Sequence, residues 1–240
     1  MAEQWSFYST PKRIGFILAL ILCVSALRST FFDWHHVPTQ SMVPNILPGD
    51  RIIVSKSFYR VRLPFSSITV LKRNSPERSD VITFLDPDKD LLMVKRIIGI
   101  PGDRVEMDDN RLIINGIEAS YIGPQNSKDT NLADSKFSHL REFNETISEK
   151  SHNIAIFSIK PKWSQRSFES KTIPISHYLV LGDNRDDSSD YRTFGLIPED
   201  RIMGKVLSVG ISQKSDSRCY LKSLMLWEQI LFVFSRLGFP

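Results

Sequence analysis

Three segments of the sequence bring together residue types that could hydrolyse an amide bond. Ser41 lies between Pro38 and Pro44, in a segment that cannot be helical throughout. Lys95 lies in the apolar, strand-like run 91–100, where its side chain must either reach solvent or be buried. Burial would lower its pKa from about 10.4, and a neutral lysine beside a serine is a competent general base. The third segment, 182–195, is rich in turn residues and hydrogen-bonding side chains.

Each segment also has a simpler interpretation. A serine between prolines is usually a loop residue. The third segment could be a solvated acidic loop or a calcium-binding loop, although it lacks the glycine and terminal glutamate of an EF-hand. A Ser–His–Asp triad is an alternative, with His35, His36 or His177 as the base and Asp183 or Asp190 orienting it. The adjacent histidines could also ligate a metal, but the rest of a ligand set is missing. We expect neither a metal nor a cofactor.

The elements that must position these segments have the pattern of a β-fold. After residue 50, short apolar segments alternate with turn signals, and no long helical period interrupts them. Asp108-Asp109-Asn110 is a hairpin signal between two such segments. The pattern predicts an all-β fold of sandwich or barrel type. The expected strands are 51–54, 81–85, 91–100, 104–107, 112–114, 178–181 and 205–211.

The N-terminal region predicts a membrane anchor. The uncharged run 14–27, extended to residue 32, would form a helix of roughly 28 Å, close to the ~30 Å hydrocarbon core of a bilayer. Lys12 and Arg13 precede it, so the positive-inside rule predicts a cytoplasmic N-terminus, and Trp34 falls where an interfacial aromatic residue is expected. A cleaved secretory signal peptide is one alternative, although the small-residue patterns at the end of the run are only passable cleavage sites. A buried helix of a soluble protein is another.

Two other regions differ from the β pattern. Residues 116–177 are polar, with one possible strand at 152–158, and predict an inserted lobe. The segment 58–71 is unusually apolar for a connection and predicts a hairpin whose tip, including Leu63 and Phe65, rests on the bilayer, with ordinary core packing as the alternative. The expected organisation is a cytoplasmic tail 1–13, a transmembrane anchor 14–32, a β core in two parts 33–115 and 178–212 around the lobe 116–177, and a C-terminal tail or amphipathic helix 213–240.

Composition excludes several classes of protein. A hydrophobic share of 41% with 24% charged residues excludes wholesale disorder. A mean hydropathy of −0.17 excludes a multi-span transporter. Two cysteines exclude a disulfide-dense scaffold and a cysteine-based zinc finger. The net charge of +4 suits a surface near anionic lipid and is too small to indicate a nucleic-acid partner.

In this order and behind an anchor, the three segments resemble the bacterial type I signal peptidases, which use a Ser–Lys dyad. The strings that carry the resemblance are SM-x-P at 41–44, KR-x-x-G-x-PGD at 95–103 and GDNRD-x-S-x-D-x-R-x-x-G at 182–195. The resemblance covers residues 35–115 and 178–206 together with the anchor. It implies a single-pass protein of the bacterial inner membrane, with its domain outside the cytoplasm, that removes signal peptides of the Ala-x-Ala type from preproteins.

The resemblance also implies a role for each matching residue. Ser41 would be the nucleophile and Lys95 the general base, with the oxyanion hole formed by the Thr39 hydroxyl and the Ser41 backbone N–H. The supporting residues would be Ser188, which hydrogen-bonds the lysine, and the ion pair Asp190–Arg192. From the residues that flank the dyad, we expect Val37 and Val94 to line shallow apolar substrate pockets.

The chain departs from the family's usual residues at four places: Gln40 for Gly, Asp187 for Asn, Tyr191 for Ser and Phe194 for Trp. Gln40 has less backbone freedom than glycine. Two other functions stay open. One is a pilin-maturation peptidase of conjugative transfer, which shares these strings but usually has a smaller insertion. The other is a membrane-tethered β-domain that binds partners without catalysis.

Overall fold

Strands make up most of the secondary structure in the computed structural model, which describes residues 11–66, 68–124 and 137–212. The all-β prediction is confirmed. The helices are α1 (Pro11–Thr30) and the single turn α2 (Tyr191–Phe194), and a 3₁₀ turn spans Glu199–Arg201. The strands in the described residues are β1 Phe32–His36, β2 Arg51–Ser55, β3 Arg60–Arg62, β4 Thr69–Lys72, β5 Val81–Leu85, β6 Leu92–Gly99, β7 Arg104–Asp108, β8 Arg111–Ile114, β9 Ile117–Glu118, β10 Ser120–Ile122, β11 Leu140–Ile147, β12 Lys150–Phe157, β13 Phe168–Thr172, β14 His177–Leu181, β15 Ile197–Pro198 and β16 Ile202–Ile211.

A seven-stranded antiparallel sheet carries the segments of interest. Its strand order is β1-β2-β16-β5-β6-β14-β15. β5 and β14 are rich in β-branched and aromatic residues and are buried along almost their whole length, as expected for strands covered on both faces. Strand β6 lies between them and carries Lys95 and Arg96. The sheet therefore brings the second and third chemical segments together on neighbouring strands.

The hairpin between β7 and β8 confirms the turn predicted from the sequence. Asp108 pairs with Arg111, so Asp109 and Asn110 form a two-residue loop. Both loop residues have positive φ, at 42° and 65°. Asn and Asp tolerate this conformation better than other residues with side chains, which explains why the local sequence suffices to specify the turn.

The region 116–177 contributes to more than one sheet. β10, β11 and β12 form a three-stranded sheet, whereas β9 and β13 join β7 and β8 in a four-stranded sheet. Strand β12 corresponds to the possible strand at 152–158. β11 was not predicted because it buries Glu142 and Glu145, so its apolar alternation is interrupted by charged residues.

The N-terminal helix runs directly into the sheet, because α1 ends at Thr30 and β1 begins at Phe32. Among the described residues, no helix is long and apolar enough to cross a membrane. The hairpin predicted at 58–71 is present as β3–β4, with Leu63 and Phe65 exposed at its tip. The Phe65 N–H donates to Ser29 Oγ at 3.0 Å, which joins this tip to the end of α1. The predicted C-terminal helix lies outside the described residues.

The core beneath the first chemical segment is aliphatic. Met42, Ile52 and Val54 are fully buried there, with Val37 and Ile46 nearly so. Burying a side chain of this size stabilises the fold by about 1.5–3 kcal/mol. Met42 follows Ser41 directly, so its burial holds the serine against the sheet.

Candidate active site

Ser41 and Lys95, 54 residues apart in the sequence, are in direct contact. Lys95 Nζ lies 2.7 Å from Ser41 Oγ and also donates to the carbonyl of Val94 at 3.0 Å. Strand β6 directs the lysine to the serine, which lies in the turn region between β1 and β2. Both side chains are buried, with Lys95 only 2% exposed. A proton can therefore pass from the hydroxyl to the amine without an intervening water.

Burial lowers the pKa of Lys95 to about 8. The loss of hydration disfavours the ammonium form, and the positive charge of Arg192 acts in the same direction. The carboxylates of Asp190 and Asp183 oppose the shift, because negative charge favours the ammonium. With such a pKa, about a tenth of the lysine is neutral at pH 7. The site thus holds a base that is available near neutral pH.

The turn that carries Ser41 is fastened to the loop after β14. The Asn184 N–H donates to the Ser41 carbonyl at 3.0 Å, and Asn184 Nδ2 donates to the Gln40 carbonyl at 3.2 Å. Gly182 permits this close approach, since a Cβ at this position would lie 2.5 Å from the Ser41 carbonyl oxygen and 2.2 Å from Ser188 Oγ. Any larger residue at position 182 would push the two segments apart.

Two hydrogen-bond donors adjoin the serine hydroxyl on its own segment. The Ser41 backbone N–H has no acceptor among the described residues, and Thr39 Oγ1 lies 3.4 Å from Ser41 Oγ. The Thr39 side chain is exposed, so its hydroxyl can turn toward a substrate. Such a pair of donors can stabilise the negative oxygen of a tetrahedral intermediate.

Thr39→Val should lower turnover by about 10²–10³-fold, the usual cost of losing one oxyanion donor. Valine keeps the branched shape and removes only the hydroxyl. Thr39→Ser keeps the hydroxyl and should have a mild effect, which makes it the matched control. Steady-state kinetics on a preprotein measure both. A valine variant as active as the wild type would mean that another group supplies the second donor.

Arg96 and Asp183 form a buried ion pair next to the dyad. The guanidinium donates two hydrogen bonds of 2.8 Å to the carboxylate, and Asn45 Nδ2 adds a third at 2.7 Å. Burial raises the pKa of Asp183, but the Arg96 charge and these hydrogen bonds outweigh it, so the pKa lies below its usual range. The Asp183 carboxylate is therefore charged at neutral pH and hydrogen-bonded through both oxygens.

The third segment is also held by Asp190 and Arg192. The guanidinium bonds both carboxylate oxygens, at 2.8 and 2.7 Å, and Asp190 Oδ2 accepts the Gly182 N–H at 3.0 Å. With Asp183 bound to Arg96 and Asp190 to Arg192, both aspartates considered for a Ser–His–Asp triad are engaged elsewhere. The hydroxyl of Ser41 contacts Lys95 and Thr39, so the geometry does not support that triad.

The hydrogen bond expected between Ser188 and Lys95 is not formed. Lys95 Nζ bonds Ser41 and the Val94 carbonyl, whereas Ser188 Oγ is buried with no partner in the part of the chain that the structure describes. Ser188 instead packs against Gly182, close to the Ser41 backbone. Sequence pattern does not determine which partner a buried hydroxyl takes.

The two residues expected to line a substrate pocket pack in the aliphatic core beneath the first chemical segment. Val37 is buried, and Val94 is half-buried against the same cluster. Among the described residues, no group of three or more His, Cys, Asp or Glu side chains could hold a metal ion.

Sequence reasoning missed several contacts of the loop 183–187. Gln40 Nε2 donates to Asp187 Oδ2, and Arg185 is buried against Glu145 of β11. Glu145 also lies 3.0 Å from His152 Nε2. The only signal in the sequence was the density of polar residues in the third segment, because the partners lie far away along the chain.

Comparison with known proteins identifies the family. A family model described as signal peptidase, peptidase S26, matches residues 11–210. Signal peptidase I of Buchnera aphidicola subsp. Schizaphis graminum is 28% identical over 233 residues, which cover 84% of this chain and 75% of that protein. Signal peptidase I of Rickettsia akari is 30% identical over 223 residues, 85% of this chain and 81% of that protein. A crystal structure of a signal peptidase I from Enterococcus faecalis V583, 30% identical, covers 56% of this chain and 98% of its own, with a TM-score of 0.34. The family match spans nearly all of the described residues, and the chain belongs to the signal peptidase family, peptidase S26.

Proposed function

We propose that this chain is a serine endopeptidase that removes N-terminal signal peptides from exported preproteins, with Ser41 as nucleophile and Lys95 as general base. The observation that carries the assignment of roles is the 2.7 Å contact between Lys95 Nζ and Ser41 Oγ, in surroundings that lower the pKa of the lysine to about 8. The contact also favours catalysis over a tethered domain that only binds.

The geometry supports a two-step acyl transfer. Neutral Lys95 takes the proton of Ser41 as Oγ attacks the scissile carbonyl. The Ser41 N–H and the Thr39 hydroxyl stabilise the oxyanion, and the resulting Lys95 ammonium then protonates the departing amine. The newly neutral lysine activates a water that hydrolyses the acyl-enzyme and frees the serine. One residue thus serves as base and acid in turn, as histidine does in a Ser–His–Asp triad.

The supporting residues keep this dyad in place and adjust its charge. The Asp190–Arg192 pair fixes the loop through the Gly182 N–H, and it places opposite charges near Lys95 whose effects partly cancel. Ser188 fills the space over Gly182, next to the carbonyl of the nucleophile. The ion pair thus acts on Lys95 through charge, and Ser188 acts through the packing of the loop.

An extended substrate can join strand β6 next to the dyad. Strand β14 pairs with β6 only from Arg96 onward, whereas β5 pairs along the other side as far as Leu92. The residues before Arg96 therefore have one edge without a strand partner in the described structure. A peptide added there would place alternate side chains toward the protein. We expect Val37 and Val94, which pack in one aliphatic cluster, to leave room only for small residues at the first and third positions before the cut.

Replacing Ala with Leu or Asp at the first position before the cut should lower kcat/KM at least about tenfold, roughly 1.4 kcal/mol. Leucine would clash with the valines, and aspartate would be desolvated without a partner. Val94→Ala should relax the restriction. Val209→Ala, the same change in the same core cluster, should not. Cleavage of matched preproteins by purified protein measures all four, and equal cleavage of small and bulky sites would contradict the proposal.

We propose further that α1 anchors the chain in the bacterial inner membrane and that the β3–β4 tip rests on the same bilayer. The side chains of α1 from Ile14 to Leu22 are exposed, as are Leu63 and Phe65 at the tip. The hydrogen bond from Phe65 to Ser29 places that tip at the end of α1. Exposed apolar side chains on the helix and at the tip are typical of surfaces that contact a membrane.

The expected topology is a cytoplasmic N-terminus with the β-domain outside. Trp34 is exposed just after α1, and the Arg28 guanidinium lies 5.2 Å from its ring centre, as suits a pair at the headgroup level. Protease added to spheroplasts should digest the β-domain and leave a cytoplasmic marker protein intact. A domain protected until the membrane is permeabilised would reverse the orientation.

A further inference from the structure

The side chain of Gln40 connects the segment of the nucleophile to the loop after β14. Gln40 Nε2 donates a hydrogen bond to Oδ2 of Asp187, 147 residues away. A carboxylate can only accept, so the amide must present its NH₂ group. Hydrogen bonds to a charged acceptor are roughly twice as strong as neutral ones. Both residues are half-buried, so solvent does not fully screen the contact.

This contact acts on the peptide group that contains a proposed oxyanion donor. The Ser41 N–H and the Gln40 carbonyl belong to one planar unit, so their directions are fixed relative to each other. The carbonyl accepts from Asn184 Nδ2 and from the Val43 N–H, at 3.2 and 3.1 Å. The N–H has no acceptor in the described part of the chain. The loop after β14 thus holds the Gln40–Ser41 peptide group at its carbonyl, through Asn184, and holds the Gln40 side chain through Asp187.

We propose that the Gln40–Asp187 hydrogen bond is a positioning contact that limits rotation of the Gln40–Ser41 peptide group and so aims the Ser41 N–H at the oxyanion. The inference rests on the proposed function. Two of the places where the sequence departs from the family's usual residues meet in this one contact. Neither side chain reaches the reacting atoms in this role; each acts through the Ser41 backbone.

A set of variants tests the contact with a preprotein substrate. Gln40→Ala and Asp187→Ala should each lower kcat about tenfold, because a misdirected donor costs less than a missing one. KM should stay within about twofold, since the interaction strengthens only in the transition state. The double variant should be no slower than either single one, because both remove the same contact.

Exchanging the hydrogen-bond donor and acceptor tests whether the bond between the two side chains supports kcat, or only their presence. Gln40→Glu should be the slowest single variant, because it sets two carboxylates against each other. Combining it with Asp187→Asn rebuilds the bond in the opposite direction and should restore kcat to within about threefold of the wild type. Gln165→Ala is the matched control and should leave kcat unchanged. It removes an exposed amide that donates, among the described residues, only to the Ser167 carbonyl, and it keeps the backbone carbonyl that accepts from Arg192.

The outcomes are distinguishable. If the wild type cleaves the preprotein but Gln40→Ala keeps full kcat, the positioning role is wrong while the proposed function stands. Three further results would overturn the positioning role. They are additive losses in the double variant, a change confined to KM, and an exchanged pair that gives a cooperative thermal melt but does not recover kcat. A wild type that cleaves no preprotein would overturn the proposed function and the inference together.

Discussion

Ser41→Ala is expected to abolish preprotein processing while leaving the fold intact. The change removes the atom that forms the acyl-enzyme. The hydroxyl beside it, Thr39 Oγ1, lies 3.4 Å from Ser41 Oγ, and among the described residues Lys95 Nζ bonds only Ser41 and the Val94 carbonyl. In unrelated serine proteases, losing the nucleophile lowers turnover by about 10⁶-fold. Cleavage by purified protein, followed over hours, measures the loss, and retention of more than about a hundredth of wild-type turnover would contradict the assignment.

The fold should survive because the packing around Ser41 does not depend on its hydroxyl. The Ser41 carbonyl still accepts the Asn184 N–H, and Met42 remains buried. Lys95 keeps its hydrogen bond to the Val94 carbonyl. The thermal melt should therefore stay cooperative. Ser57→Ala removes another buried serine hydroxyl outside the dyad and should keep wild-type turnover. Ser41→Cys is a useful companion and should keep a trace of activity, because a thiol can attack the same carbonyl.

Local pattern was enough to predict much of the β-fold. The β7–β8 hairpin follows from two residues that tolerate positive φ between two alternating segments. β2, β5 and β14 are short runs of β-branched and apolar residues bounded by turn signals, so their type could be read directly. Elements of this kind depend on neighbours in the sequence and need no knowledge of the tertiary fold.

Elements whose stability comes from distant partners could not be predicted in this way. β11 buries Glu145, a charge that the pattern would place on the surface. Its burial is tolerated because Arg185, from the loop after β14, pairs with it, and this pairing holds the pKa of Glu145 at about 2 despite the opposing effect of burial. Only the tertiary fold reveals that pair.

The active site likewise contains features that could be predicted from the sequence and features that could not. Ser41 and Lys95 could be proposed from segments in the right order, and burial explains why the lysine contacts the serine and not solvent. The hydrogen bond expected from Ser188 is not formed, and the contact of Gln40 with Asp187 was not foreseen. Such details need coordinates, because several rotamers are compatible with one backbone.

Lys95 is expected to set the pH dependence of the enzyme. Its neutral form is the base, and burial lowers its pKa to about 8, so kcat/KM should rise tenfold per pH unit below that value and level off above it. Lys95→Arg should be inactive, because a guanidinium does not deprotonate at accessible pH. Lys205→Arg, at a partly exposed lysine that pairs with Asp80, is the matched control and should keep activity.

The free energy of unfolding provides a second test of the lowered Lys95 pKa, independent of activity. Between the folded pKa of about 8 and the unfolded value of 10.5, only the unfolded chain binds the proton at this position. The contribution of Lys95 to the free energy of unfolding should therefore rise with pH across this window, by about 3 kcal/mol in total. Below pH 8 the buried ammonium is a cost, so Lys95→Met should melt at a higher temperature than the wild type at pH 7 while being inactive. An active arginine variant, or activity independent of pH between 6 and 9, would refute Lys95 as the base.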